Sequence, residues 1–484
     1  MFLFVPLINA ISWGLGILLF YLSFDRISEF LGTGKTLHGL IGKTHGNKAR
    51  VVASYLTILS FVGFIVAELW FGSRVLLAIF PTNDWIYISA LVFILVVSGY
   101  LFKGGQNSSI KTDQLQLMFS YIGIFGILVY LLFISFRAKL EFPGALNWGL
   151  LLLIGFAIAI SIIRKFKYAN IQSLSSRLLN IVVTVLFMAI VASSIAILYT
   201  NGSKFALSNF VNLEGFGIAG LLSLIILPLS FQFVDLTNWQ RILSVGSIKK
   251  NGLNSEIKKG LINFSIESPF TWILFIVFGL LVTTFYGNLT FEDVLVDFPK
   301  QMIGTGNYID RIIGYTFIVS IISIMLSTID SFIMGIAFTY TYDIDIESKK
   351  LLDNGSDVNN VELKVILRKG KVFGFGTVIF AFGLFIVFDR FVSGGGEMFI
   401  NLLLTFYTAS LSFLPIVLGM IFLKKRPSEN WAIASMFLAS ILSIGLGVYS
   451  VLDDPTYAWY PIMVCVVISF TVYSLGLVLR KNAI

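Results

Sequence analysis

Thirteen stretches of this 484-residue chain are apolar over close to the length that crosses a bilayer: roughly 2–22, 51–80, 85–102, 112–136, 149–163, 177–199, 216–235, 268–286, 311–340, 371–388, 399–423, 431–450 and 458–478. A spanning helix takes about 20 mostly apolar residues. Inside hydrocarbon each backbone N–H and C=O must be satisfied by its own segment, which leaves a run of that length only the α-helix. Composition agrees, with 57% hydrophobic and only 12% charged residues, far from the balance of a soluble domain. The expectation is an all-α polytopic membrane protein of about 13 transmembrane helices. Segment 2–22 has no basic flank before it and no small-residue cleavage pattern after it, so it reads as a retained helix and not a signal peptide.

The basic residues sort by loop. Of the 34 Lys and Arg, 27 fall in loops on one side of the thirteen spans. Six fall on the other: Arg137, Lys139, Lys204, Lys300, Arg311 and Arg390, while Arg74 lies within a span. The positive-inside rule puts the richer side and the C-terminus in the cytoplasm and the N-terminus outside, in a plasma or inner cell membrane. The net charge of +8 is then topology, and no nucleic-acid partner is expected. The single cysteine, Cys465, excludes internal disulfides and a cysteine-based metal site. His38 and His45 lie in one polar loop, 23–50, and are expected to be solvated rather than metal-binding. No His–Asp cluster or Ser–His pair lies in the spans, so neither an enzyme nor an organic cofactor is expected.

One span carries polar groups at its centre. Leu326–Ile344 reads LSTIDSFIMGIAFTYTYDI and continues an apolar run from Ile312 to Met325. Ser327, Thr328, Asp330 and Ser331 therefore sit at membrane depth. An ionisable side chain there is costly, faces the protein interior and marks an ion or solute path by default. The plainer alternative has the hydroxyls bonding back to their own helix.

Ser327-Thr328-Ile329-Asp330-Ser331 followed by Asp343-Ile344 resembles the eighth core helix of the sodium:solute symporter family, the proline- and sugar-type sodium symporters with a LeuT-like inverted-repeat fold. The resemblance implies that Ser327, Thr328 and the carbonyl of Ile324 bind a sodium ion. The i, i+3, i+4 spacing of 324, 327 and 328 puts these oxygens on one helix face, and a hard cation takes oxygen ligands. A second match is Gly104-Gly105, Thr112-Asp113 and Gln116, which has the family's spacing at the cytoplasmic start of its fifth core helix. There the aspartate is linked to sodium coupling, although capping of the helix N-terminus would by itself explain Thr112 or Asp113. Thr36-Leu37 with Gly46-Asn47-Lys48-Ala49-Arg50 resembles the loop between the second and third core helices. Asp235 with Trp239-Gln240-Arg241 resembles the end of the sixth. Asp235 and Arg241, six apart, do not share a helix face and read as braces of helix ends.

Glu68 departs from the family, in which glutamine is usual at that place. Four readings stand: a protonated acid, a pair with Arg74 inside the membrane, part of a proton path, or a local pair near the outer surface. The resemblance covers roughly 1–136 and 216–423, with 149–163 and 177–199 unassigned and 431–478 peripheral, all within one transmembrane transporter domain. It begins at the second core helix, so the first repeat is expected to lack its first member. The two unassigned helices, a lost upstream segment or a loss of sodium coupling are the alternatives that follow. The connector 341–371 reads as a cytoplasmic loop with a turn at Asn354-Gly355 and carries no assigned chemistry.

The function expected is sodium-coupled symport of a small organic solute by alternating access, with sodium, the solute and the lipid bilayer as partners and no metal other than Na+. Asp113, Asp330, Glu68 and Asp235 are the candidates for coupling or gating. The alternative is a transporter-derived membrane sensor or regulator without transport.

Overall fold

The structure is a computed structural model. It describes residues 4–30, 36–137 apart from 81 and 83, 217–246, 254–265, 291–345, 360–391, 395–453 and 458–481, with a few single positions between them. Segments 149–163 and 177–199, and nearly all of 268–286, lie outside the described residues. What is described is helical. In chain order the helices are α1 (Phe4–Leu22), α2 (Phe24–Ser28), α3 (Leu37–His45), α4 (Asn47–Arg74) and α5 (Asp84–Arg137). Next come α6 (Gly217–Val234), α7 (Leu236–Gly246), α8 (Phe291–Gly304) and α9 (Tyr308–Thr339), which a π-helical turn extends over Tyr340–Ile344. The last are α10 (Asn360–Phe391), α11 (Gly395–Leu411), α12 (Leu414–Phe422), α13 (Glu429–Leu452) and α14 (Tyr460–Lys481). Among the described residues, 8 helices are long and apolar enough to cross a membrane, and Ile8–Leu22 is a shorter apolar helix. The protein is a polytopic membrane protein.

The chain forms two compact units. The first comprises Met1–Leu7, Met118–Asn212 and Thr271–Ile321. In it the rings of Phe298 and Phe317 meet edge-on with centroids 5.3 Å apart, and Phe278 stacks on Phe317 at 5.7 Å. Tyr130 donates to Asp310 there. The second unit comprises Ile8–Leu117, Leu213–Phe270 and Ile322–Ile484 and holds every residue of the candidate site.

Three features of the second unit position that site. α4 packs closely on both α9 and α11. A Cβ on Gly63 would come within 2.2 Å of Phe406 Cβ, and one on Gly335 within 2.5 Å of the Phe61 ring. Second, the backbone is helical throughout Asp84–Arg137, yet Tyr100 and Thr112 both reach one oxygen of Asp330. A straight helix would hold their Cα atoms about 18 Å apart, beyond the reach of both side chains, so the helix bends between them. Gly104-Gly105 lies between them, and the spans expected at 85–102 and 112–136, with the loop expected between, form one helix instead.

Third, two spans are interrupted. The span expected at 399–423 is two helices, α11 and α12, because Pro415 has no N–H for the carbonyl of Leu411. α6 gives way to α7 at Asp235, whose carboxylate accepts from Thr237 N at 3.0 Å and Thr237 Oγ1 at 2.7 Å. Asp235 is thus a helix cap, in keeping with its reading as a brace.

Several expectations for the loops are corrected. The loop 23–50 contains a helix, α3, opened by the Thr36 hydroxyl accepting from Gly39 N at 2.9 Å. It closes at Gly46, whose φ of +108° favours glycine. The stretch before α9 contains α8, built on the amphipathic sequence FEDVLVDFPKQMIG. His38 and His45 are not solvated: both rings are buried, since α3 packs into the molecule and is not a surface turn. The start of the connector 341–371 is helical as well, and Asp343 within it is fully buried.

Candidate ion-binding site

The centre of the segment Tyr308–Ile344 falls close to Leu326, so Ile324–Ser331 lie at mid-span. Ser327 Oγ donates to Asp113 Oδ1 at 2.7 Å. Thr328 Oγ1 donates to the carbonyl of Ile324 at 3.1 Å and also faces the carboxyl of Glu68 on α4. The three expected ligands share one helix, but the two hydroxyls address different neighbours: Ser327 looks to α5 and Thr328 to α4. Adjacent residues on an α-helix are about 100° apart, so such a pair can bridge two partner helices.

Asp330 has no exposed surface. Its carboxylate accepts from Tyr100 Oη at 2.7 Å, from Ser109 Oγ and Thr112 Oγ1 at 3.2 Å each, and from Ser331 Oγ at 3.4 Å. Each hydrogen bond to a charged group contributes about 1.5–3 kcal/mol, which is how a carboxylate is held at this depth without a paired cation. Asp113, one residue beyond Thr112, lies near enough to repel Asp330 electrostatically. Arg241 of α7 brings Nη2 to 3.9 Å from Asp113 Oδ2. The two sequence motifs around Thr112-Asp113 and Ser327–Ser331 therefore meet, with Arg241 at their edge. Tyr100 and Ser109 were not foreseen: nothing distinguishes a tyrosine or serine of an apolar span until its partner, more than 200 positions away, is known.

A second buried node joins α3, α4 and the π-turn after α9. Arg50 Nε donates to Asp343 Oδ1 at 2.8 Å, and Thr36 Oγ1 donates to the same oxygen at 2.7 Å. His38 Nδ1 lies 3.3 Å from Asp343 Oδ2, and its Nε2 lies 2.8 Å from Thr57 Oγ1. With Nδ1–H donating to the carboxylate, Nε2 accepts from Thr57. The guanidinium also donates to the Tyr342 carbonyl. Thr36 and Arg50, quoted above from one loop, and Asp343, quoted from another motif, form one contact. The connector thus has a structural charge where none was assigned.

The reading that pairs Glu68 with Arg74 is corrected. Arg74 donates to Asp389 Oδ1 at 2.9 Å, and Tyr87 donates to the other oxygen of Asp389 at 2.8 Å. Glu68 lies six residues before Arg74, nearly two helical turns, and the arginine reaches α10 instead. Among the described residues no group of three or more His, Cys, Asp or Glu side chains is disposed to hold a metal ion.

No protein-family model matches this chain, and no curated protein matches it in sequence. Among solved structures it is similar to the substrate-bound outward-open state of a Na+-coupled sialic acid symporter, described with a novel Na+ site. The TM-score is 0.59 at 14% identity, over 98% of this chain and 84% of that one. At that identity the likeness establishes a shared fold.

Proposed function

We propose that this protein is a sodium-coupled secondary transporter of a small organic solute, working by alternating access. One observation carries the reading. Hydroxyls, the Ile324 carbonyl and two carboxylates from α5 and α9 converge at mid-span, in a chain whose fold is shared with a Na+-coupled symporter. Transporters of this architecture hold ion and substrate near the bilayer midplane, where discontinuous helices supply backbone oxygens. In this reading Ile324, Ser327 and Thr328 bind sodium, while Asp113 and Asp330 set the coupling. Asp235, which caps α7, acts only through the position of Arg241. The distribution of Lys and Arg supports a cytoplasmic C-terminus and an N-terminus outside.

The test is sodium-dependent thermal stabilisation of the purified protein, with potassium as the control. Thr328→Val keeps the shape and removes the hydroxyl. The loss of one hydrogen bond or ligand to a charged group, about 1.5–3 kcal/mol, corresponds to roughly a tenfold or greater rise in half-saturating sodium. Thr328→Ser changes little. A wild-type protein that responds to sodium and potassium alike contradicts the reading and leaves a non-transporting membrane regulator in its place. An equal sodium response in wild type and Thr328→Val moves the ion elsewhere.

A further inference from the structure

Asp343 and Asp389 each meet an arginine, and Asp330 meets four hydroxyls. Glu68 faces one hydroxyl, that of Thr328, and among the described residues it pairs with no cation. Packing on either side fixes its place. Phe64 of α4 stacks on Phe332 of α9 with centroids 4.9 Å apart, and a Cβ on Gly72 would lie 2.4 Å from Met325 Cε. The two helices thus run antiparallel here. Glu68, one turn from both Phe64 and Gly72, falls opposite residue 328. Thr328 Oγ1 is in turn 3.1 Å from the Ile324 carbonyl oxygen.

Three oxygens of different kinds meet at this point. The carbonyl and an ionised carboxylate only accept hydrogen bonds, and the hydroxyl brings a single hydrogen. The carbonyl also takes the helix N–H of Thr328, so while the hydroxyl serves that carbonyl an ionised Glu68 has no donor among the described residues. A carboxylate within a span also calls for a positive partner. We propose that Glu68 is the charged ligand of a monovalent-cation site that the Ile324 carbonyl and the Thr328 hydroxyl help to form. The inference rests on the sodium reading above and deepens it, by giving the ion a full negative charge at the site rather than neutral oxygens alone. The donor set is hard oxygen, as a cation such as sodium takes. One carboxylate balances one unit of charge, which favours a monovalent ion over a divalent one. The rival arrangement is a neutral carboxylic acid that donates its own hydrogen to Thr328.

Glutamine has the shape of glutamate without its charge, so Glu68→Gln is expected to fold. The experiment melts the purified full chain in lipid nanodiscs against sodium, in a choline background. Saturable stabilisation of the wild type by sodium is expected. Glu68→Gln melts no lower than wild type in choline, because an unpaired charge is gone, yet needs at least about tenfold more sodium for half its stabilisation. Glu68→Asp keeps the charge but draws it back by one methylene, and raises the half-saturating sodium by a smaller factor. An unchanged sodium dependence in Glu68→Gln, or in Glu68→Asp, overturns the ligand role while the sodium reading stands. It is the result the neutral acid gives. A wild type that neither sodium nor lithium stabilises overturns both.

Discussion

His45 ends α3 with Nε2 at 3.0 Å from Tyr473 Oη and Nδ1 at 2.9 Å from Thr44 Oγ1. Burial, reinforced by the nearby Arg426 guanidinium, lowers its pKa from 6.5 to about 4. The unfolded chain therefore takes up a proton near pH 6.5, while the folded protein stays neutral at this position until about pH 4. The stability contributed is whole above the unfolded value and is lost as pH falls through that window, by about 3 kcal/mol across it. Thermal melts taken from neutral pH down to about pH 5 are expected to show a falling wild-type midpoint. In His45→Gln, which cannot take up that proton, the fall is shallower. Equal acid limbs in the two proteins would exclude His45 as the group responsible. The two histidines also mark a limit of reading side chains from sequence. They sit among polar neighbours in a stretch flanked by lysines, and a local window reports solvent. What buries His38 is Asp343, 305 positions later, and what buries His45 is Tyr473, 428 positions later. Burial of this kind is a property of tertiary partners.

At the scale of elements, helices come together where glycine lets them. Gly63 faces Phe406 with so little room that a methyl group would meet its Cβ at 2.2 Å. That atom is one bond from the backbone and cannot swing aside. Gly63→Ala is expected to push α4 from α11 and cost about 1–3 kcal/mol, as overpacking does. It should lower the melting midpoint in sodium and in choline alike. Gly99→Ala, on a position with open space around it, is the control and leaves the midpoint unchanged. Equal midpoints for Gly63→Ala and wild type would show that the interface yields. The long helices were legible because membrane spans are a local property of composition. α3 and α8 were not, because short amphipathic helices look like polar loops until something covers one face. The α11–α12 break had a local signal in Pro415, but a single proline is weighed down by the apolar run on either side of it. The meeting of Asp113 with Ser327 was half legible. Each residue stood out in its own motif, while their contact, 214 positions apart, belongs to the fold.

Across the whole molecule, charge and polarity are sorted in two ways. The basic residues sort between the two sets of expected loops, and among the described residues buried polar side chains lie on α4, α5 and α9 and also on α11 and α13. The intramembrane groups are paired or bonded wherever their partners are visible: Asp330 by four hydroxyls, Asp343 by Arg50 and Thr36, Asp389 by Arg74 and Tyr87. Hydroxyls, carboxylates and the Ile324 carbonyl around residues 324–331 are what this reading offers a mobile cation. The most direct test is equilibrium binding of radiolabelled sodium to the purified protein in a choline buffer. Saturable binding that unlabelled sodium displaces, that potassium does not, and that Thr328→Val weakens about tenfold or more is the predicted result. Absence of saturable sodium binding by the wild-type protein would contradict sodium coupling altogether.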